Sequence, residues 1–117
     1  MRNTFNRYKK AKKIMQECYP LLFANDKKPV PLAIGILHQI KEDSISGLSS
    51  TYLRDFLQIW CNRIEYVKKV RYATLRFDLD GSISMLSTVT PDQRKIASKS
   101  YNSKIKRLKR SRCYKLN

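Results

Sequence analysis

Between residues 64 and 81 the chain reads I-E-Y-V-K-K-V-R-Y-A-T-L-R-F-D-L-D-G. The side chains there that could bind or aim at an anion are Tyr66, Lys68, Lys69, Arg71, Arg76 and Asp78. Leu75, Phe77 and Leu79 alternate with Arg76 and Asp78, which is the period of a strand. An apolar face turned to a core therefore sends Arg76 and Asp78 out together on the other face. A carboxylate beside a guanidinium fixes its direction and leaves its remaining donors for a phosphate or a ribose. Tyr66 supplies an aromatic face or a phenol close by. A second description also fits: Tyr66 covers the core edge, and Arg76–Asp78 is an exposed pair contributing about 0–1 kcal/mol. The first description makes this a nucleic-acid site, RNA in particular.

The elements that must hold these residues follow from apolar spacing. Phe5, Tyr8, Ala11, Met15 and Cys18 recur at steps of three and four, predicting an amphipathic basic helix over 4–18. Tyr19-Pro20 ends it, because the residue before a proline avoids the α region. Residues 20–31 read as a proline-containing loop from which Leu21, Leu22 and Phe23 plug the core. The apolar run from Leu32 to Ile40 predicts a largely buried helix to about Asp43, with Pro31 suiting its first turn. Gly35 inside that helix would permit close approach of another backbone, or of a ligand phosphate near the unpaired N–H groups of the helix start. Ser49 or Ser50 caps a further helix with the stripe Leu53, Phe56, Leu57, Trp60, Cys61 and Ile64, leaving Arg54 and Arg63 at the surface. A strand over 74–79 turns at Asp80-Gly81 into a short return strand over 82–86. Thr90-Pro91-Asp92-Gln93 carries a threonine cap, a proline at the first helical position and a capping-box glutamine. It opens a basic helix over 91–110, followed by a basic tail, 111–117. The expected fold is α+β: one mainly helical domain, residues 1–110, with a small β-hairpin.

The charge is +16 over 117 residues, and it is unevenly placed. Residues 1–13 carry six basic and no acidic side chains, residues 94–117 carry ten and none, and the stretch between is neutral. Such an excess repels itself unless a polyanion relieves it, which favours nucleic acid over an anionic membrane surface or a merely solvated tail. Three scattered cysteines and a single histidine do not make a zinc site, and they suit a reducing cytoplasm. The N-terminus has no apolar signal-peptide core, and no run is long and apolar enough to span a bilayer. Asp78 and Asp80 could be pictured on magnesium, but they sit beside an arginine and a turn glycine. No nucleophile–base–metal set accompanies them, so neither catalysis nor a cofactor, a metal or a small-molecule substrate is expected.

The order of the pieces resembles the ProQ/FinO family of bacterial RNA-binding proteins. The matching residues are Tyr19-Pro20-x-x-Phe23, Pro31-Leu32-x-Ile34-Gly35-Ile36, Leu48-Ser49, Leu53-Arg54, Tyr66, and Arg76-Phe77-Asp78-Leu79-Asp80-Gly81. The resemblance implies an RNA chaperone for structured small RNAs and messenger 3′ ends. It further implies a preference for intrinsic terminator hairpins with a single-stranded U-rich tail and a free 3′ hydroxyl. It assigns RNA contacts to Tyr66 and Arg76, a basic position on the same concave face to Arg54, and the glycine beside the 3′-end pocket to Gly35. Arg63, Lys68, Lys69, Arg71 and Asp78 complete the expected RNA-binding set. Ala33, Val30 and Gln58 stand where the family usually or often carries basic side chains. The expected protein is a cytoplasmic monomer whose partner is RNA, and the alternative is a sequence-nonspecific DNA or nucleoid protein using only its basic ends.

Overall fold

The computed structural model describes the backbone of residues 2–116 and the side chains of residues 6–110. Helix α1, Arg2–Cys18, buries Tyr8, Ala11 and Met15 along one stripe. The four residues Pro20–Phe23 form a short helix, α2, rather than the start of a loop. They seat Leu22 and Phe23 in the core, while Leu21 points outward and is 76% exposed. Helix α4, Ser50–Asn62, is capped by Ser49, whose hydroxyl accepts the Tyr52 N–H. It breaks at Arg63, whose extended backbone (φ −70°, ψ 150°) separates it from α5, Ile64–Val70. The core is an aromatic cluster: Phe23 meets Phe56 and Trp60 edge-on at 5.4 and 5.1 Å, and Tyr8 stacks on Phe56 at 5.6 Å. Pairs of this kind contribute about 0.5–1.5 kcal/mol each beyond burial.

Helix α3 departs from the expectation. It begins at Ile36, not Leu32, and runs to Asp43. Gly35 is its N-cap in the left-handed region (φ 88°), so a continuous helix from 32 is impossible. The residues before it run extended beside strand β1, Leu75–Phe77, as a fragment of parallel pairing between Leu32 and Phe77. Phe77 donates its N–H to Pro31 O, and Ala33 donates to Phe77 O, both at 2.8 Å. A short apolar run has no periodicity that separates the two states, and here tertiary pairing decides. Pro31 is accordingly a buried residue of the extended segment and not the first residue of a helix.

Strand β2, Ile83–Thr88, pairs antiparallel with β1 in a register of Leu75 with Thr88 and Phe77 with Ile83, with an irregularity between. The hairpin loop 79–81 closes when Gly81 donates to Asp78 O (2.9 Å) and Asp78 donates to Ser82 O (2.8 Å). Gly81 sits at φ 87°, as three-residue hairpin loops require. Helix α6 runs Pro91–Leu116, past the expected end near 110, and packs its first half on α5. The expected order of helices around a small hairpin is therefore observed.

Candidate nucleic-acid interface

Tyr66 and Arg76 converge on one residue. Helix α5 turns Tyr66, Val67 and Val70 inward, and the Tyr66 hydroxyl accepts the Leu32 N–H at 2.9 Å. Arg76 donates through Nη1 to the Leu32 carbonyl at 2.9 Å. Its Nε reaches Thr88 O at 3.1 Å, and Nη2 reaches Gln93 Oε1 at 2.9 Å. Three of the five guanidinium donors are thus engaged, and the direction of the others is set. Tyr66 is only 7% exposed, so it offers a hydroxyl to the backbone rather than a ring to solvent. Burial, together with the nearby Cys61 thiol, holds its phenol well above the ordinary value. Burial likewise raises the Cys61 thiol, against the Tyr66 hydrogen bond that lowers it.

Asp78 does not steer Arg76. It accepts the Gln39 side-chain amide at 3.0 Å, and the Leu79 N–H returns to Gln39 Oε1 at 2.9 Å, so Asp78 ties the hairpin to α3. The reason is local: β1 ends at Phe77, and the chain is already entering the turn at Asp78, so strand alternation no longer applies. Asp78 lies in an open hollow with Glu42, Asp43 and Asp80, acidic surroundings that contrast with those of Arg76. Hydrogen bonds from Ser82 keep the Asp80 carboxyl below the usual range.

Arg63 is only partly exposed. The break between α4 and α5 folds it back, its guanidinium 3.9 Å from the Trp60 ring centroid and its Nη1 donating to Asp26 O at 2.8 Å. Its Nη2 is buried, with no hydrogen-bond partner among the described residues. Arg54 is exposed on α4 as expected. Gly35 stands exposed at the start of α3, where a Cβ would meet no atom within 4 Å. Glycine is needed there for its positive φ and not for close packing.

Lys68, Lys69 and Arg71 line a separate, open groove of about 790 Å³ between α5, β1 and the loop at Lys27-Lys28. Lys68 and Lys69 are exposed. The Arg71 guanidinium lies over two rings, 3.8 Å from the Tyr101 centroid and 4.6 Å from that of Tyr72. Arg76 is not among the groove residues, and Leu75 and Phe77 show it the opposite side of β1.

Sequence reasoning missed four participants here: Leu32, whose peptide groups join Tyr66 to Arg76; Gln93; the Lys27-Lys28 pair; and Tyr72. A signal existed for Gln93, whose spacing from Thr90 makes it a capping-box residue. Its Oε1 accepts the Thr90 N–H (2.9 Å) and Arg76 Nη2 together.

A helical domain closed by a two-stranded hairpin, with an arginine anchored on the segment that leads into a left-handed glycine cap, is the architecture these observations define. The chain belongs to the ProQ/FINO family, whose model matches residues 5–113. Among solved structures it is similar to NMB1681 from Neisseria meningitidis MC58, described as a FinO-like RNA chaperone. That match has a TM-score of 0.64 at 22% identity and covers 92% of this chain and 87% of that one. It is also similar to a ProQ homolog from Legionella pneumophila, with a TM-score of 0.63 at 24% identity, covering 80% and 79%. No curated protein sequence matches the chain. Among the described residues, no helix is long and apolar enough to cross a membrane.

Proposed function

We propose that this protein is an RNA chaperone of the cytoplasm, acting as a monomer and without catalysis on structured small RNAs and messenger 3′ ends. Its preferred element is the intrinsic terminator hairpin with a single-stranded 3′ U tail. Family membership and the likeness to a FinO-like RNA chaperone support the class. The observation that carries the site is the anchoring of Arg76 on Leu32 O, Thr88 O and Gln93 Oε1, a few residues from the Gly35 cap of α3. A cation fixed in direction confers selectivity for a chain end that diffuse charge does not.

In this reading the unused donors of Arg76 take the terminal phosphate or ribose, and Gly35 shapes the backbone alongside. Tyr66 is a positioning residue, holding the Leu32 segment through its hydroxyl. Asp78 positions the hairpin through Gln39, and Arg63 positions the α4–α5 junction through Trp60. Arg54 contacts phosphates of the stem, and Lys68, Lys69 and Arg71 serve the RNA flanking it.

The test compares a terminator hairpin ending in a 3′-hydroxyl U tail with the same RNA 3′-phosphorylated, by fluorescence anisotropy. The hydroxyl form is expected to bind more tightly. Arg76→Ala should reduce its affinity by about 10- to 100-fold, the scale of a lost charge-assisted hydrogen bond, and equalise the two RNAs. Equal binding of both RNAs by the unsubstituted protein removes the pocket from the proposal. Equal competition by duplex DNA at moderate salt favours nonspecific binding by the basic ends instead.

A further inference from the structure

The groove on the far side of β1 has features that phosphate binding alone does not call for. Tyr72 stands at its wall, 78% exposed, on an arginine of the groove. That arginine, Arg71, is itself held by Tyr101 of α6 and by its Nε bond to Lys68 O (3.3 Å). The result is a cluster of Arg71 with two tyrosine rings, of which Tyr72 stands largely in solvent. The Lys27-Lys28 loop, also lining the groove, is held by Asn25, whose Oδ1 accepts the backbone N–H groups of both lysines at 3.2 and 3.1 Å. Among the described lining residues Glu65 is the only acid, against Lys27, Lys28, Lys68, Lys69 and Arg71.

We propose that this groove is a second RNA subsite, one that takes an unpaired stretch of the chain: a base stacks on the outer face of Tyr72 while Lys27, Lys28, Lys68 and Lys69 track its phosphates. It rests on the reading of the protein as an RNA binder, but not on 3′-end recognition by Arg76. Bare charge would serve a duplex equally well. An aromatic platform beside a cationic track is the arrangement that selects single strands, because only an unstacked base exposes its π face. Backing by a guanidinium holds the ring and adds a cation beside the stacked base. The site reads no base edge, so it tolerates sequence, and purines should bind better than pyrimidines through their larger rings.

The test uses the full chain and an unstructured nine-nucleotide oligoadenylate carrying a 3′-phosphate, which has neither a duplex nor a free 3′ end. The unsubstituted protein should bind it at low salt, and Tyr72→Ala should weaken that binding about tenfold or more, whereas Tyr72→Phe should keep it. With Tyr72→Trp, the oligonucleotide should quench the fluorescence of the new indole, read against the buried Trp60 of the parent. Tyr72→Ala should leave thermal unfolding unchanged and retain the preference of a terminator hairpin for a 3′ hydroxyl. Undiminished binding of the oligoadenylate by Tyr72→Ala overturns the proposal, as does a protein that binds the hairpin but not the oligoadenylate. Failure to bind either RNA overturns the RNA reading and this subsite together.

Discussion

At the scale of single residues, the Leu32 peptide is held from both sides, its N–H by a buried phenol and its carbonyl by a guanidinium. Removing the phenol leaves a buried donor without an acceptor, so Tyr66→Phe should destabilise the fold by about 1–3 kcal/mol, measured by urea unfolding. The same group predicts an alkaline effect. Its folded pKa lies above the ordinary value of 10.0, so its contribution to stability is complete below that value and is lost as pH rises toward the folded one. Tyr19, buried and donating to Asp43 at 2.6 Å, behaves likewise. Phenolate absorbance in the near ultraviolet should therefore show both groups ionising in step with alkaline unfolding, and Tyr66→Phe should remove one tyrosine from that step. A Tyr66 that ionises before unfolding would contradict its burial. Arg76 and Tyr66 were legible in the sequence as a pair, but their partners were not. Alternation assigns Asp78 to Arg76 only while the strand continues, and it stops at Phe77. Arg63 reads as a surface cation until the break after α4 turns it over Trp60.

At the scale of elements, the start of α6 and the site share an atom. Gln93 Oε1 closes the capping box on Thr90 and also takes Arg76 Nη2, so helix and hairpin are joined through one side-chain carbonyl. Thr90→Ala, which removes only the cap, should cost about 1 kcal/mol of stability and leave the 3′-hydroxyl preference intact. Gln93→Glu keeps both acceptor roles but sets a negative charge against the guanidinium. It should hold or raise stability while weakening hairpin binding by about tenfold, the scale of a charged hydrogen bond diverted from RNA. If Gln93→Glu binds as well as the parent, Arg76 is not the residue that meets the anion. The helix start at T-P-D-Q was legible because its signals are local: a hydroxyl, a proline and an amide at fixed offsets. The start of α3 was not, because the apolar run from Leu32 suits either state and only pairing with the distant Phe77 selects the extended one. Tyr72 lay unread for a related reason: its value comes from Tyr101, which the α5–α6 packing brings onto Arg71.

At the scale of the whole molecule, what matters is where the charge remains available. Part of the N-terminal excess is engaged within the protein: Lys12 meets Asp26 at 2.7 Å, lowering that carboxyl, and Arg7 lies near Asp55 at 4.0 Å and over Tyr52. The far end of α6 is different. Lys106, Arg107, Lys109 and Arg110 are all exposed, on a helix of 26 residues, about 39 Å long. On the proposed function, such an arm would add affinity by releasing counterions and add no selectivity, because phosphates are alike on every RNA. Replacing those four side chains with glutamine should therefore reduce the slope of log affinity against log salt by up to about 3.6, since each phosphate left without its cation takes away about 0.7–0.9. The ratio between 3′-hydroxyl and 3′-phosphate hairpins should not move if, as proposed, the arm and the anchored arginine act on different parts of the RNA. The decisive measurement is that ratio across a salt series in parent and variant. A ratio that falls along with affinity would mean that the end of the RNA is held by charge alone, and that Arg76, for all its anchoring, is one cation among many.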